Sequence, residues 1–132
     1  MPLSVEDQLA IQQLYAKYNQ AIDFGKGADW AATFTPDGVF NSGSGTFTGT
    51  EQLAGFGSGF ATRMKARHWT NNLVVEGDGA KATGCCYLAL YRLTPGEQPP
   101  AGILITAVYN DELSRGADGQ WRFTKRTVTG DA

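Results

Sequence analysis

The sequence contains a single histidine, His68, in the stretch "KARHWTNN" at 65–72. An imidazole ring changes charge near neutral pH, and a carboxylate bound to one ring nitrogen fixes the tautomer and leaves the other nitrogen free to accept a proton. A histidine held in this way could act as a general base. The alternative interpretation is a half-buried strand residue without a chemical role.

Asp23 is the candidate acid for this pair, because it stands in the last turn of the predicted first helix, two residues before Gly25. A carboxylate at that end faces the negative end of the helix dipole, which costs ~0.3–1 kcal/mol. Residues that break a local rule often mark functional sites. Packing of the helix on the strand would bring Asp23 to His68. The alternative interpretation is an exposed aspartate at a fraying helix end.

Helices are predicted to occupy the first half of the chain. Ser4 with Asp7 is a capping pattern, and apolar residues at three- and four-residue steps predict a helix over 4–24. A short helix is expected at 28–34, stopped by a turn at "TPDG". A glycine-rich hairpin at 38–49 and a helix over 50–65 follow.

Long strands are predicted from residue 66 onward. The hairpin signal "GDG" at 77–79 separates the first two strands, and the loops "TPGEQPP" and "SRGADG" separate the others. Helices followed by antiparallel strands predict one α+β domain over 1–132. A long helix that covers a curled sheet should enclose a cone, which is a natural apolar pocket.

Composition narrows the classes of partner and of site. The formal net charge of −2 and the absence of a basic run argue against nucleic acid and anionic membranes. No apolar run approaches the ~18 residues of a membrane span, and no signal pattern is present, so a cytoplasmic location is expected. The adjacent Cys85 and Cys86 predict two free thiols. One histidine and two adjacent cysteines cannot supply a usual zinc site, so no metal is expected.

Three motifs carry a resemblance over nearly the whole chain: Tyr18 five residues before Asp23, "RHWTNN" at 67–72, and "WRFTKR" at 121–126. Together they resemble the SnoaL-like family of the nuclear transport factor 2-like superfamily. The resemblance implies a cystatin-like, cone-shaped α+β barrel with N-terminal helices on a curved, mainly antiparallel sheet. It also implies a cofactor-free site in which Asp23 and His68 form a catalytic dyad.

The resemblance places three further residues in a substrate-binding role. Tyr18 would donate to a leaving group or to an oxyanion, Arg126 would hold an anionic leaving group, and Phe40 would form a wall of the pocket. On a straight helix Tyr18 points ~140° away from Asp23, so the two side chains can converge only if the helix unwinds near "DFGKG". A core tyrosine and an exposed strand arginine are the alternatives.

The implied function is that of a lyase or isomerase, in which His68 abstracts a proton from a small hydrophobic cyclic substrate and an elimination or a double-bond shift follows. Two other functions stay open: a module that binds a hydrophobic ligand without turnover, and a structural subunit like the β subunit of ring-hydroxylating dioxygenases. A homo-oligomer is expected because "ILITAVY" at 103–109 has apolar residues on both faces of one strand. The resemblance implies a trimer rather than a dimer.

Overall fold

A computed structural model describes residues 2–100 and 102–132. Three helices come first: α1 (Val5–Asp23), α2 (Gly27–Ala31) and, after a hairpin, α3 (Gly49–Arg63). The hairpin consists of β1 (Phe34–Ser42) and β2 (Gly45–Thr48), and the second half of the chain forms β3 (Ala66–Asp78), β4 (Lys81–Arg92), β5 (Ile103–Arg115) and β6 (Trp121–Gly130). None of the helices among the described residues is both long and apolar enough to cross a membrane.

The six strands form one curved sheet in the order β2-β1-β6-β5-β4-β3. All neighbouring strands are antiparallel except β1 and β6, which are parallel. The predicted α+β class with helices on a curved, mainly antiparallel sheet is therefore confirmed. β3 lies at the edge of the sheet, and only the isolated bridge between Pro2 and Asp78 extends its outer side among the described residues.

The first helix begins and ends where its sequence predicts. The Ser4 hydroxyl accepts a hydrogen bond from the backbone N–H of Asp7 at 3.0 Å, which satisfies one of the free N–H groups of the first turn. At the other end Gly25 adopts φ +71°, and the N–H of Lys26 donates to the carbonyl of Ala21 at 2.9 Å. This left-handed glycine stops the helix immediately after Asp23.

The "TPDG" segment was predicted wrongly as a turn between elements. Thr35, Pro36, Asp37 and Gly38 lie inside β1, and the register between β1 and β6 shifts between Phe34 and Val39. The local turn residues therefore make an irregularity within a strand, because long-range pairing with β6 continues on both sides of them.

The hydrophobic core lies between the helices and one face of the sheet. α1 contributes Ile11, Leu14, Tyr15, Tyr18 and Ile22, and these side chains are all buried. Along β4 every second residue from Ala82 to Leu90 faces the core, as the two-residue period of a strand requires. Aromatic rings pack in the space that the sequence predicted as an apolar cone. The centroid of the Trp30 ring lies 5.2 to 5.4 Å from those of Phe34, Phe40 and Phe56.

Candidate active site

The carboxylate of Asp23 binds His68 through both the ring and the backbone. The Nδ1 atom of His68 lies 2.6 Å from Oδ1 of Asp23, and the backbone N–H of His68 donates to both carboxylate oxygens at 3.2 Å. The predicted hydrogen-bond distance between the two side chains is therefore confirmed. Because an ionised carboxylate only accepts, a neutral ring donates from Nδ1 and carries its lone pair on Nε2.

The free nitrogen of His68 can be reached from outside the core. The side chains of His68 and Asp23 are 8% and 6% exposed. Nε2 has no hydrogen-bond partner among residues 2–100 and 102–132. It is nevertheless not fully buried, because the fully buried side-chain atoms without a partner do not include it. The ring also packs against Phe60, with ring centroids 5.4 Å apart. The geometry is that of a base held on one side and open on the other.

A cleft of about 540 Å³ between α1 and β3 contains the pair. Its α1 side presents Tyr15, Asn19 and Asp23, which are four residues apart and therefore share one helix face. Its β3 side runs from His68 to Leu73 and includes the irregularity between Asn71 and Val74, where Asn72 has φ +54°. Asn19 joins the two sides, since its Nδ2 donates to Oγ1 of Thr70 at 3.0 Å.

The structure does not bring Tyr18, Phe40 or Arg126 into this cleft. Tyr18 and Phe40 are 1% and 5% exposed, and both belong to the core cluster. The helix remains regular to Asp23, so the ~140° between Tyr18 and Asp23 is not removed by unwinding. The three residues were expected to line one cavity with His68, and this cleft lacks them; their substrate-binding role stays a prediction.

Arg126 is instead the centre of a buried polar cluster. Its Nε and Nη2 donate to the two oxygens of Asp111 at 2.8 and 3.2 Å, and Tyr15 donates its hydroxyl to the same carboxylate. The guanidinium carbon lies 3.4 Å from the ring centroid of Tyr109 and 4.3 Å from that of Tyr18. The predicted exposed or pocket-lining arginine is thus fully buried among aromatic rings.

Burial sets the titration of this cluster. It raises the pKa of Asp111, while Arg126 and Tyr15 act in the opposite direction. Burial alone would lower the pKa of Arg126. Asp111 and the surrounding tyrosines raise this pKa by more than burial lowers it, so the net direction is upward. Three hydrogen bonds converge on the Asp111 carboxylate as an acceptor, which is the arrangement of a charge-assisted pair with Arg126.

Sequence reasoning missed Asn19, Thr70 and Asp111. Asn19 could have been found, because it precedes Asp23 by four residues and must share its helix face. Asp111 could also have been found, because it falls in phase with Ala107, Tyr109 and Leu113 on the alternating buried face of β5. Among the described residues no group of three or more histidine, cysteine, aspartate and glutamate side chains could hold a metal ion.

Comparison with known proteins identifies the family. The SnoaL-like domain model matches residues 3–127. A protein of unknown function from Mycobacterium tuberculosis is 33% identical, with a TM-score of 0.86 over 93% of this chain and 70% of that one. A Catenulispora acidiphila protein solved in complex with S-DNPA is 26% identical, with a TM-score of 0.82 over 97% of this chain and 96% of that one.

LinA shares the fold at 24% identity, with a TM-score of 0.80 over 97% of this chain and 88% of that one. No curated protein matches the sequence.

Proposed function

The chain belongs to the SnoaL-like family, whose fold is cystatin-like and nuclear transport factor 2-like. From that premise we propose a cofactor-free lyase or isomerase in which His68 is the general base and Asp23 is the residue that holds it. The carrying observation is the Nδ1–carboxylate distance of 2.6 Å together with an Nε2 atom that has no partner in the described residues.

The proposed reaction starts at a carbon next to a carbonyl group of a cyclic substrate. His68 Nε2 removes the proton, and the C–H electron pair moves into an enolate. In an elimination the enolate expels a β-hydroxyl group, which leaves as water with the proton returned by the imidazolium. In an isomerisation the same proton returns to a different carbon. Asp23 stabilises the imidazolium in both cases.

The backbone clamp explains why Asp23 is suited to this task. A carboxylate bound only to the ring could rotate with it, whereas Asp23 is also fixed by the N–H of His68. The ring is thereby held in one orientation before a substrate arrives. Such positioning by a rigid partner is what proton transfer requires, since a base must be within ~2.6–3.2 Å of the atom that carries the proton.

A test of the dyad uses 3-hydroxycyclohexanone and related cyclic β-hydroxy ketones as probes, with enone formation followed by absorbance. Asp23→Asn should reduce the rate ~10²-fold or more, because the ring loses its tautomeric bias. Asp29→Asn, an exposed aspartate of α2, is the matched control and should react like the wild type. Nitrogen-15 spectra of the His68 ring should show the Nδ1–H tautomer in the wild type and a mixture in Asp23→Asn.

Two results would count against the proposal. An equal rate in the wild type and in Asp23→Asn would show that the pair is not coupled. A fixed tautomer without turnover of any probe would favour one of the two other functions considered from the sequence, a module that binds a ligand in the cleft without reaction.

A homo-oligomer forms the second part of the proposal, with a trimer preferred over a dimer. The outer face of the sheet exposes Tyr87 and Leu104, at 53% and 47%, and Trp69 packs there against Tyr91 in a tilted arrangement with ring centroids 4.2 Å apart. A second copy would cover these apolar groups. Light scattering should give a multiple of the 14.2 kDa chain mass, and Leu104→Lys should shift the mass toward the monomer. A monomer in the wild type at micromolar concentration would contradict this.

A cytosolic location is also proposed. Cys85 and Cys86 are both free thiols in the structure, as is usual for proteins of a reducing compartment. Fractionation of cells that express the chain would test it, and recovery from an oxidising compartment would contradict it.

A further inference from the structure

The cleft between α1 and β3 is lined by several uncharged polar side chains. Four carboxamides and one hydroxyl contribute to it: Gln12, Asn19, Gln20, Asn72 and Thr70. Asn71 borders the cleft but is paired with Tyr87, whose side chain lies on the outer face of the sheet. A carboxamide offers two N–H donors and an acceptor oxygen, and a hydroxyl offers both functions as well. The cleft therefore presents mixed donors and acceptors along its length.

Charge is confined to one end of this cleft. Asp23 and His68 form the dyad, and the other titratable lining groups are Tyr15 and Cys86. Burial raises the pKa of Tyr15 well above its ordinary value and raises the pKa of Cys86 to about 11, so both are neutral at physiological pH. Among the residues that the structure describes, no lysine or arginine lines the cleft. An anionic ligand would therefore find no cation other than a protonated His68.

One of the carboxamides has an unmet hydrogen-bonding group. The Nδ2 atom of Asn19 binds Thr70, but its Oδ1 is buried and has no partner among the described residues. Buried polar atoms in native proteins nearly always have a partner, which is often a bound molecule or water. If the side-chain amide of Asn19 is flipped, its N–H₂ group becomes the one without a hydrogen-bond partner. In either orientation one polar atom of Asn19 lacks a partner, and because that atom is fully buried a ligand reaches it only if the side chain rotates into the cleft.

The dimensions suit a single ring or a pair of rings. Tyr15 and Asp23 are eight residues apart on α1, which corresponds to ~12 Å of helix. The volume of about 540 Å³ lies within the range of small-molecule sites, ~300–1,000 Å³.

We propose that the α1–β3 cleft binds a neutral ring that carries several hydroxyl groups, as a sugar or a cyclitol does; as a substrate this ring would also carry a ketone group, with the neighbouring ring C–H beside His68. Each hydroxyl both donates and accepts, which matches the carboxamides. An apolar ring would remove the same amides from water without replacing their hydrogen bonds. This changes the substrate class from the hydrophobic ring expected from the sequence, and it rests on the proposed function for the ligand's role as a substrate.

Binding can be measured without turnover. The probes are methyl β-D-glucopyranoside, methyl β-D-galactopyranoside and myo-inositol, with cyclohexanemethanol as the apolar ring and cyclohexanecarboxylate as the anionic one. At least one hydroxylated probe should cause saturable amide shifts in the protein NMR spectrum, confined to residues 12–23 and 68–73. The apolar and anionic rings should bind more weakly.

A pair of double variants separates the cleft from the rest of the surface. Gln12→Ala with Gln20→Ala should weaken the binding of that probe at least ~5-fold, since two hydrogen bonds of ~0.5–1.5 kcal/mol each are lost. Gln13→Ala with Gln120→Ala changes the same residue type at exposed positions outside the cleft and should bind like the wild type. All four residues are exposed, so both double variants should retain the thermal midpoint of the wild type.

Three results would overturn the inference: no saturable shift from any hydroxylated probe, equal weakening in the two double variants, or tighter binding of cyclohexanemethanol. Failure of the proposed function can be told apart from failure of this inference. If the rate in Asp23→Asn equals that of the wild type, His68 is not the base, but both proteins should still bind the hydroxylated probe. Conversely, a rate that depends on Asp23 with no binding of hydroxylated rings would retain the proposed function and reject this ligand class.

Discussion

Asp23 and Asp111 are both carboxylates that face the space between the helices and the sheet, yet their surroundings differ. Asp23 binds a histidine at the edge of the sheet, and the far nitrogen of that histidine is left without a partner in the described structure. Asp111 binds an arginine and a tyrosine in the interior, and its side chain and that of Arg126 are completely buried. The first arrangement leaves a proton acceptor available, and the second leaves none.

The difference follows from position in the sheet. Asp23 meets β3, an edge strand, where the outer backbone groups are free to bind a side chain, and the N–H of His68 does so. Asp111 lies on β5, which is paired on both sides, so its carboxylate can bind only side chains. Gly84 on β4 makes room for Tyr15 there, since a Cβ at that position would lie 2.1 Å from the tyrosine hydroxyl. Reactivity is thus expected at the edge of the sheet and stability in its centre.

The largest loss of stability should come from disrupting the buried Asp111–Arg126 cluster. Arg126→Met leaves Asp111 buried without its cation, and removal of one partner of a buried ion pair costs about 3–5 kcal/mol. The free energy of unfolding from urea denaturation measures this. Arg122→Met is the control, because Arg122 pairs with the exposed Asp118 through two hydrogen bonds and should leave stability close to the wild type. Equal loss in both variants would contradict a special role for burial.

An intermediate effect is expected from Tyr15 at high pH. Burial raises the pKa values of Tyr15, Tyr18 and Tyr109, so the folded protein holds three phenolic protons that the unfolded chain releases. Stability is complete below the unfolded pKa of about 10 and falls as pH rises above it. Each buried tyrosine contributes a slope of about 1.4 kcal/mol per pH unit.

Tyr15→Phe should remove one of the three contributions, so its alkaline slope should be smaller than that of the wild type by the amount given for one tyrosine. Urea denaturation at a series of pH values above 10 measures both slopes. Identical slopes would show that Tyr15 titrates alike in the folded and unfolded states.

The two sites were not equally accessible to prediction from the sequence. Asp23 could be paired with His68 because both carry local signals: an acid at the wrong end of a helix, and a lone histidine at the start of a strand. The limits of α1, from Val5 to Asp23, also follow from local caps and periodicity. Such features depend on a few neighbouring residues, and a single sequence contains them.

The central cluster depends on register, which the sequence reveals only in part. Arg126 reaches Asp111 because the two residues are opposite each other on β6 and β5. The register of the two strands shifts next to this pair, between Glu112 and Leu113, so the pairing cannot be counted from the strand ends. Periodicity alone could indicate that Asp111 is buried but could not name its partner. Tyr18 does not converge on Asp23, because convergence required the end of the helix to unwind, whereas α1 stays regular to Asp23 and ends at Gly25.

The smallest change in stability should come from the Asp23–His68 dyad. His68→Gln removes the ring hydrogen bond but leaves Asp23 bound to the backbone N–H of residue 68, so no buried charge loses all of its partners. A single hydrogen bond is worth ~0.5–1.5 kcal/mol, and the free energy of unfolding should decrease by no more than that. The same substitution should abolish turnover of any substrate that needs the imidazole. A loss as large as that of Arg126→Met would mean that the Asp23–His68 pair supports the fold in the way the Asp111–Arg126 pair does, and the distinction between a reactive edge and a structural centre would fail.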